Sequence, residues 1–132
     1  MLIHAKGHPN ITAKHRTTIA FTRDKEITIK GDCFVAVDSR FNISPDFMEK
    51  LRCSRHIIIT ISCAGSTDRI IARGHPKITL SDAKDLVIRK SNYVDNKTLA
   101  ILADKAAIDL SRALIKNLRQ GKHVTIRIDP QS

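Results

Sequence analysis

The sequence predicts an α+β domain built from two copies of a ββ(β)αβ unit. The copies would pack about a pseudo-two-fold axis as a mixed β-barrel or a pair of facing sheets with two helices. Three observations carry this expectation. AKGHPNIT at residues 5–12 returns as ARGHPKIT at 72–79. Extended without gaps at an offset of 67, residues 1–65 match residues 68–132 identically at fifteen positions, where ordinary composition gives about four. Nineteen of the 132 residues are isoleucine, whose branched Cβ stiffens χ1 and suits a pleated, half-buried surface, so strands are favoured over a helical bundle.

Taken in chain order, LIHAK and RIIAR read as short strands entering the two Gly-His-Pro turns, and TTIAFT and DLVIR as the strands that follow. CFVAV and TLAILA are apolar runs of strand length. Ser44-Pro45 starts a short helix through Leu51, with a hydroxyl to cap it and a proline at its first position. In the second copy the helix is expected from Asp104 to Gln120. Ala107, Leu110, Leu114 and Leu118 share one face there, Ile108 and Ile115 lie beside it, and Gly121 provides the stop. HIIITIS and HVTIRID close the two copies as strands, with Ile57, Ile59, Ile61 and Val124, Ile126, Ile128 on the inner side. A strand, a crossover helix and a strand form a right-handed unit where the strands are parallel. EITIK at residues 26–30 fits a strand, but its counterpart YVDNK fits a loop, which leaves that segment open. Neither copy is large enough to close a core alone, so residues 1–132 make a single domain of two repeats, 1–65 and 68–132.

Composition bounds the function. Cys33, Cys53 and Cys63 are odd in number and widely spaced, which argues against a disulfide framework or a zinc ribbon and fits a reducing cytoplasm. No run has signal-peptide or membrane-span length, so a soluble protein without a membrane partner is expected. The formal charge of +10 favours nucleic acid or an anionic metabolite as partner. Aromatic residues make up only 4%, too few for base-stacking platforms. Phosphate-loop, nucleophile-elbow, zincin and dinucleotide motifs are absent. Catalytic residues, cofactor and oligomeric state are not readable.

Several groups could carry chemistry. His8 and His75 occupy equivalent turns, where glycine permits close backbone approach, proline fixes φ and histidine can bond nearby backbone. Alternatively, the axis brings the two together as a ligand or metal site, although spacing identifies no third ligand and no metal set is assigned. Asp32 in KGDC either bonds its own turn or belongs to a Gly-Asp signature resembling that of duplicated cradle-loop barrels, the double-psi and swapped-hairpin folds. Arg89, Lys90 and Tyr93 follow a strand end, where the two cations could hold a phosphate or carboxylate; the stretch also reads as a solvated loop. With Lys105, these are the ligand-binding candidates. Lys105, Arg112, Lys116 and Arg119 share the polar helix face, either as a row for a polyanion or as a soluble surface.

The stretches GHPNITAKHRTTIAFT, KGDCFVAV, GHPKIT and DLVIRKSNYVDNKTLAILADKAAIDL resemble an archaeal protein family catalogued as a domain of unknown function, family 371. The resemblance spans most of the chain. It implies an archaeal, single-domain, cytoplasmic protein and transfers no activity. Two function classes remain: a small basic module binding RNA or another polyanion, and a small enzyme or metabolite-binding protein with its site between the repeats.

Overall fold

Alternation of apolar and polar side chains sets the strands. In β1 (Leu2–Lys6), Ile3 and Ala5 are buried while Leu2, His4 and Lys6 face out. The remaining elements of the computed structural model, which describes residues 1–82 and 84–131, are β2 (Thr18–Thr22), β3 (Phe34–Arg40), α1 (Pro45–Cys53), β4 (His56–Cys63), β5 (Ser66–Ala72), β6 (Asp85–Arg89), β7 (Thr98–Ala100), α2 (Arg112–Leu118) and β8 (His123–Gln131). The strands form one eight-stranded mixed sheet in the order β5-β4-β8-β1-β3-β2-β6-β7. Instead of the expected barrel or pair of facing sheets, the end strands β5 and β7 meet through an isolated bridge, Arg73 to Ile101, and no ladder closes the sheet among the described residues. α2 packs on β3, β4 and β5, and α1 on β8.

The core is apolar and continuous. Ile57, Ile59 and Ile61 of β4 and Val124, Ile126 and Ile128 of β8 are fully buried, as are Leu51 of α1 and Leu114 and Leu118 of α2. Truncating such an isoleucine to alanine typically costs about 2–5 kcal/mol. β4 and β8 run antiparallel about a centre at Thr60 and Arg127, with Ile59 opposite Ile128 and Ile61 opposite Ile126. On their outer sides, Ile59 faces Ile70 of β5 and Ile126 faces Ile3 of β1. Ile59 and Ile126 thus have like neighbours on both sides. β2 and β6 pair in the same manner about Ala20 and Val87.

Three expectations need correction. β3-α1-β4 is not a parallel crossover, because three successive antiparallel pairings, β3 with β1, β1 with β8 and β8 with β4, make β3 and β4 antiparallel; the parallel neighbours are β2 with β3 and β6 with β7, joined by loops. The gapless match of the two segments does not carry over to strand pairing. Phe21 pairs with Ala36 while Ile88 pairs with Ala100, three residues short of the Ala103 that the gapless match sets against Ala36; the loop 90–97 is three residues shorter than the loop 23–33. Residues 26–30 belong to that longer loop and form no strand; the Gly31 N–H closes a turn on the Thr28 carbonyl. The predicted helix over 104–120 breaks into a 3-10 turn at Ala107–Asp109 and α2. Asp109 accepts from the Ala106 N–H, Leu110 is extended, and Ser111 caps the restart by accepting from Leu114. Ile108, expected beside the apolar stripe, is consequently 41% exposed.

The duplicated turns have a packing explanation. A Cβ on Gly7 would collide with the Leu118 carbonyl at the end of α2, and one on Gly74 with the Leu51 carbonyl of α1. Close approach of backbone to backbone requires glycine at both places. The Gly7 N–H donates to the Lys122 carbonyl (2.8 Å) and the Gly74 N–H to the Ser54 carbonyl (2.9 Å). Arg119 of the second half donates to the Ile11 carbonyl (3.1 Å), and Arg52 of the first half to the Ile78 carbonyl (2.9 Å). Each turn therefore grips the helix end of the opposite half.

Candidate functional site

Strand pairing assembles a polar groove on the outer face of β1, β3 and β8. In the β1–β8 ladder His4 lies opposite Thr125 and Lys6 opposite His123, which puts the two histidines on one face as diagonal neighbours. His4 Nδ1 lies 3.2 Å from His123 Nε2, with ring centres 5.2 Å apart and planes at 70°. At this separation one ring nitrogen donates and the other accepts. On the other side of β1, His4 pairs with Arg40 and Lys6 with Val37, so two residues of β3 oppose one of β1. This bulge puts Asp38 in the left-handed region (φ 49°) and re-aims its carboxylate.

Asp38 is mostly hidden, its side chain 15% exposed, with Oδ2 at 3.8 Å from both Lys6 Nζ and Arg40 Nη2. Lys6 and Arg40 are 63% and 76% exposed, so both keep donors for a further anion. These residues line a cleft of about 250 Å³ together with His4, His123 and Gly121. A second cleft, of about 230 Å³, shares Lys6, Asp38 and Arg40 and adds His8 and Lys25. His8 Nδ1 accepts from the Asn10 N–H (3.0 Å) and Nε2 lies 2.7 Å from Glu26. The continuous groove thus offers Lys6, Lys25, Arg40 and three imidazoles against Asp38 and Glu26.

The residues singled out by sequence lie elsewhere, His8 excepted. No contact joins His8 to His75 among the described residues; the ring of His75 accepts from the Lys77 N–H (3.0 Å). Asp32 serves through its backbone carbonyl, which accepts from Lys14 and His15. Arg89 bonds Thr98 and Asp95 and lies 5.0 Å from the centre of the Tyr93 ring. Lys90 pairs with Asp109 (3.2 Å). Lys105 precedes α2 and pairs with Asp68 (2.6 Å), so it leaves the expected helical row. Arg112 turns back onto the carbonyls of Ala107, Ile108 and Leu110, and Arg119 onto that of Ile11; Lys116 is exposed.

These pairings shape the acids. Burial pushes Asp68 up, but the Lys105 ammonium and the N–H groups of Ser111 and Arg69 outweigh it and hold the carboxyl below its ordinary value. Burial likewise opposes, and the Lys97 N–H, the Thr98 hydroxyl and Arg89 prevail, in depressing Asp95. Burial raises Cys33 and Cys63, and the bond to Glu49 raises Cys53, so none of the three is an activated thiolate.

Sequence reasoning missed His4, Lys6, Asp38, Arg40 and His123. The outward positions of LIHAK offered a signal for the first two. Their partners, 119 residues away for the histidine pair and on a bulge for Asp38, follow only from the strand order.

No helix is long and apolar enough to cross a membrane among the described residues. The chain is 41% identical over 130 residues to the uncharacterized protein MJ0206 of Methanocaldococcus jannaschii, with 96% of each chain covered. Residues 3–131 match the family model described as Domain of unknown function (DUF371). This protein, with its histidine groove across β1, β3 and β8, belongs to that family.

Proposed function

We propose that the chain is a doubled half-unit that binds a phosphate-rich polyanion, of the RNA class, along the groove from His123 to Lys25. The observation that carries the binding reading is the pair of exposed cations, Lys6 and Arg40, flanking a half-hidden Asp38 in a groove that also presents His4, His8 and His123. Asp38 holds the cations in place without neutralising the field, and their remaining donors suit phosphate oxygens. With few aromatic residues, recognition runs through the backbone of the ligand and not its bases. Lys116 adds an exposed cation, while Lys90, Lys105, Arg89, Arg112 and Arg119 serve mainly the protein's own backbone and acids. The three free thiols suit a reducing cytoplasm.

The doubling is supported by contacts that recur at a constant offset of 67: Ile59 with Ile70 and Ile126 with Ile3, Arg52 with Ile78 and Arg119 with Ile11.

Fluorescence anisotropy with a labelled single-stranded RNA tests the binding. Three phosphate contacts predict an affinity loss of about twentyfold between about 50 and 200 mM salt. Lys6→Ala and Arg40→Ala should each lower both affinity and salt slope by about one contact. Affinity indifferent to salt and to both substitutions refutes the reading. A second reading, a site for a small anionic metabolite or an enzyme using the imidazoles, is favoured by the direct contact of His4 with His123 beside Asp38. It requires a mononucleotide to bind as tightly as the longer strand.

A further inference from the structure

We infer that His4 and His123 form a binding site for a divalent transition-metal ion of the zinc or nickel class, with solvent completing its coordination. The site stands independently of the polyanion reading.

The argument is geometric. Two imidazoles on one tetrahedral ion, each nitrogen about 2.0–2.1 Å from it, have those nitrogens about 3.3 Å apart and their ring centres about 5.2 Å apart. The observed separations are 3.2 Å and 5.2 Å, at Nδ1 of His4 and Nε2 of His123. A straight N–H···N bond of the same length would set the centres about 5.5 Å apart. The rings are therefore not collinear, and both separations match those of two imidazoles on one ion.

Strand pairing makes this arrangement durable. Both histidines sit on adjacent strands of a continuous five-residue ladder, so the backbone pre-organises the pair. Both are exposed, which admits hydrated ions. Among the described residues, no group of three or more His, Cys, Asp or Glu side chains is placed to hold an ion, so the protein supplies two ligands and leaves the remaining positions open. Among the described residues neither histidine shows a hydrogen bond at its other ring nitrogen, which weakens binding by about 10–100-fold relative to a site with supported imidazoles. The open positions adjoin the cleft of Lys6, Asp38 and Arg40, where an oxyanion bound to the ion would meet the two cations.

The test is calorimetric titration of Zn²⁺ and of Ni²⁺ into the untagged chain at neutral pH. One ion per chain is expected. His4→Ala and His123→Ala should each weaken binding at least about tenfold. His56→Ala, at an exposed histidine elsewhere on the sheet, should leave it unchanged. Should either variant fold poorly, the imidazole NMR signals of the unaltered chain serve instead: those of His4 and His123 should move with Zn²⁺ while those of His56 and His75 stay. Absence of saturable binding below millimolar ion, binding undiminished in both variants, or movement of other histidines in place of these two overturns the assignment.

Discussion

Two regions of the molecule repeat several backbone features and differ in chemistry. One is the groove of His4, Lys6, Asp38, Arg40 and His123. The other lies where β5 meets β7. Adding 67 to the β1 positions and 64 to the β3 positions leads to Ile71, Arg73, Leu102 and Asp104, and subtracting 67 from His123 leads to His56. Lys6 pairs with Val37 in the first region and Arg73 with Ile101 in the second. Asp38 (φ 49°) and Leu102 (φ 52°) share the left-handed conformation. The N–H of Asp38 bonds the Asp24 carbonyl, and that of Leu102 the Ser91 carbonyl. Yet the second region exposes Ile71 (43%) and Leu102 (46%), and the Asp104 carboxylate is occupied with the Ile71 N–H. Strain at Asp38 is therefore a property of the bulge and not a mark of function, since a leucine carries it too. The side chains placed on that backbone make the first region distinctive.

The largest effect should come from the repeated backbone features. Gly7→Ala and Gly74→Ala each force a Cβ into a helix-end carbonyl, and each should destabilise by more than about 3 kcal/mol in chemical denaturation, or prevent folding. Comparable losses uphold the equivalence of the two regions, and a tolerated alanine at either site breaks it.

Next in size is conversion of one region into the other. Ile71→His would place an imidazole diagonal to His56, as His4 stands to His123, and the metal stoichiometry should rise from one ion to two. A ratio that stays at one would mean that the second backbone does not reproduce the geometry of the first.

Acid should separate the halves more gently. Asp68, Asp82, Asp95 and Asp109 all lie in the second half and are all held below the ordinary carboxylate value. In Asp68 and Asp95 burial is outweighed by cations and N–H groups, in Asp82 the cause is the N–H groups of Asp85 and Lys84, and in Asp109 it is the Ala106 N–H and Lys90. A carboxyl depressed in the folded chain contributes stability that is complete above about pH 4 and is lost as pH falls through its folded value. Hydrogen exchange between about pH 4 and pH 2 should accelerate first around β6, β7 and the 3-10 turn, and Asp68→Asn should flatten the acid limb of the stability curve. Uniform acceleration across both halves would contradict this ordering.

The smallest effect concerns the bulge. Leu102→Gly should stabilise by about 1 kcal/mol in denaturant midpoints, because leucine pays most for a positive φ. Asp38→Gly should gain less, since aspartate tolerates that region better and its contacts with Lys6 and Arg40 are lost.

Much of the fold could be read from the sequence because burial is written into local alternation. DLVIR became β6 at its predicted bounds, Ser44-Pro45 opened α1, and Ile57, Ile59 and Ile61 of HIIITIS and Ile126 and Ile128 of HVTIRID face the core. What could not be read depends on long-range pairing. Gapless matching of Ala36 to Ala103 concealed the shorter loop before β7, and helical periodicity from Asp104 masked the competing bonds of Asp104 and Asp109 to backbone N–H groups. The groove was invisible for the same reason: His4 and His123 come from opposite ends of the chain and meet only because β8 inserts between β4 and β1.

The crossed grip of the two Gly-His-Pro turns reaches beyond packing. Because Gly7 seats the end of α2 and Gly74 the end of α1, loosening either half strips a wall from the other, and denaturation followed by two probes, one in each half, should give coincident transitions.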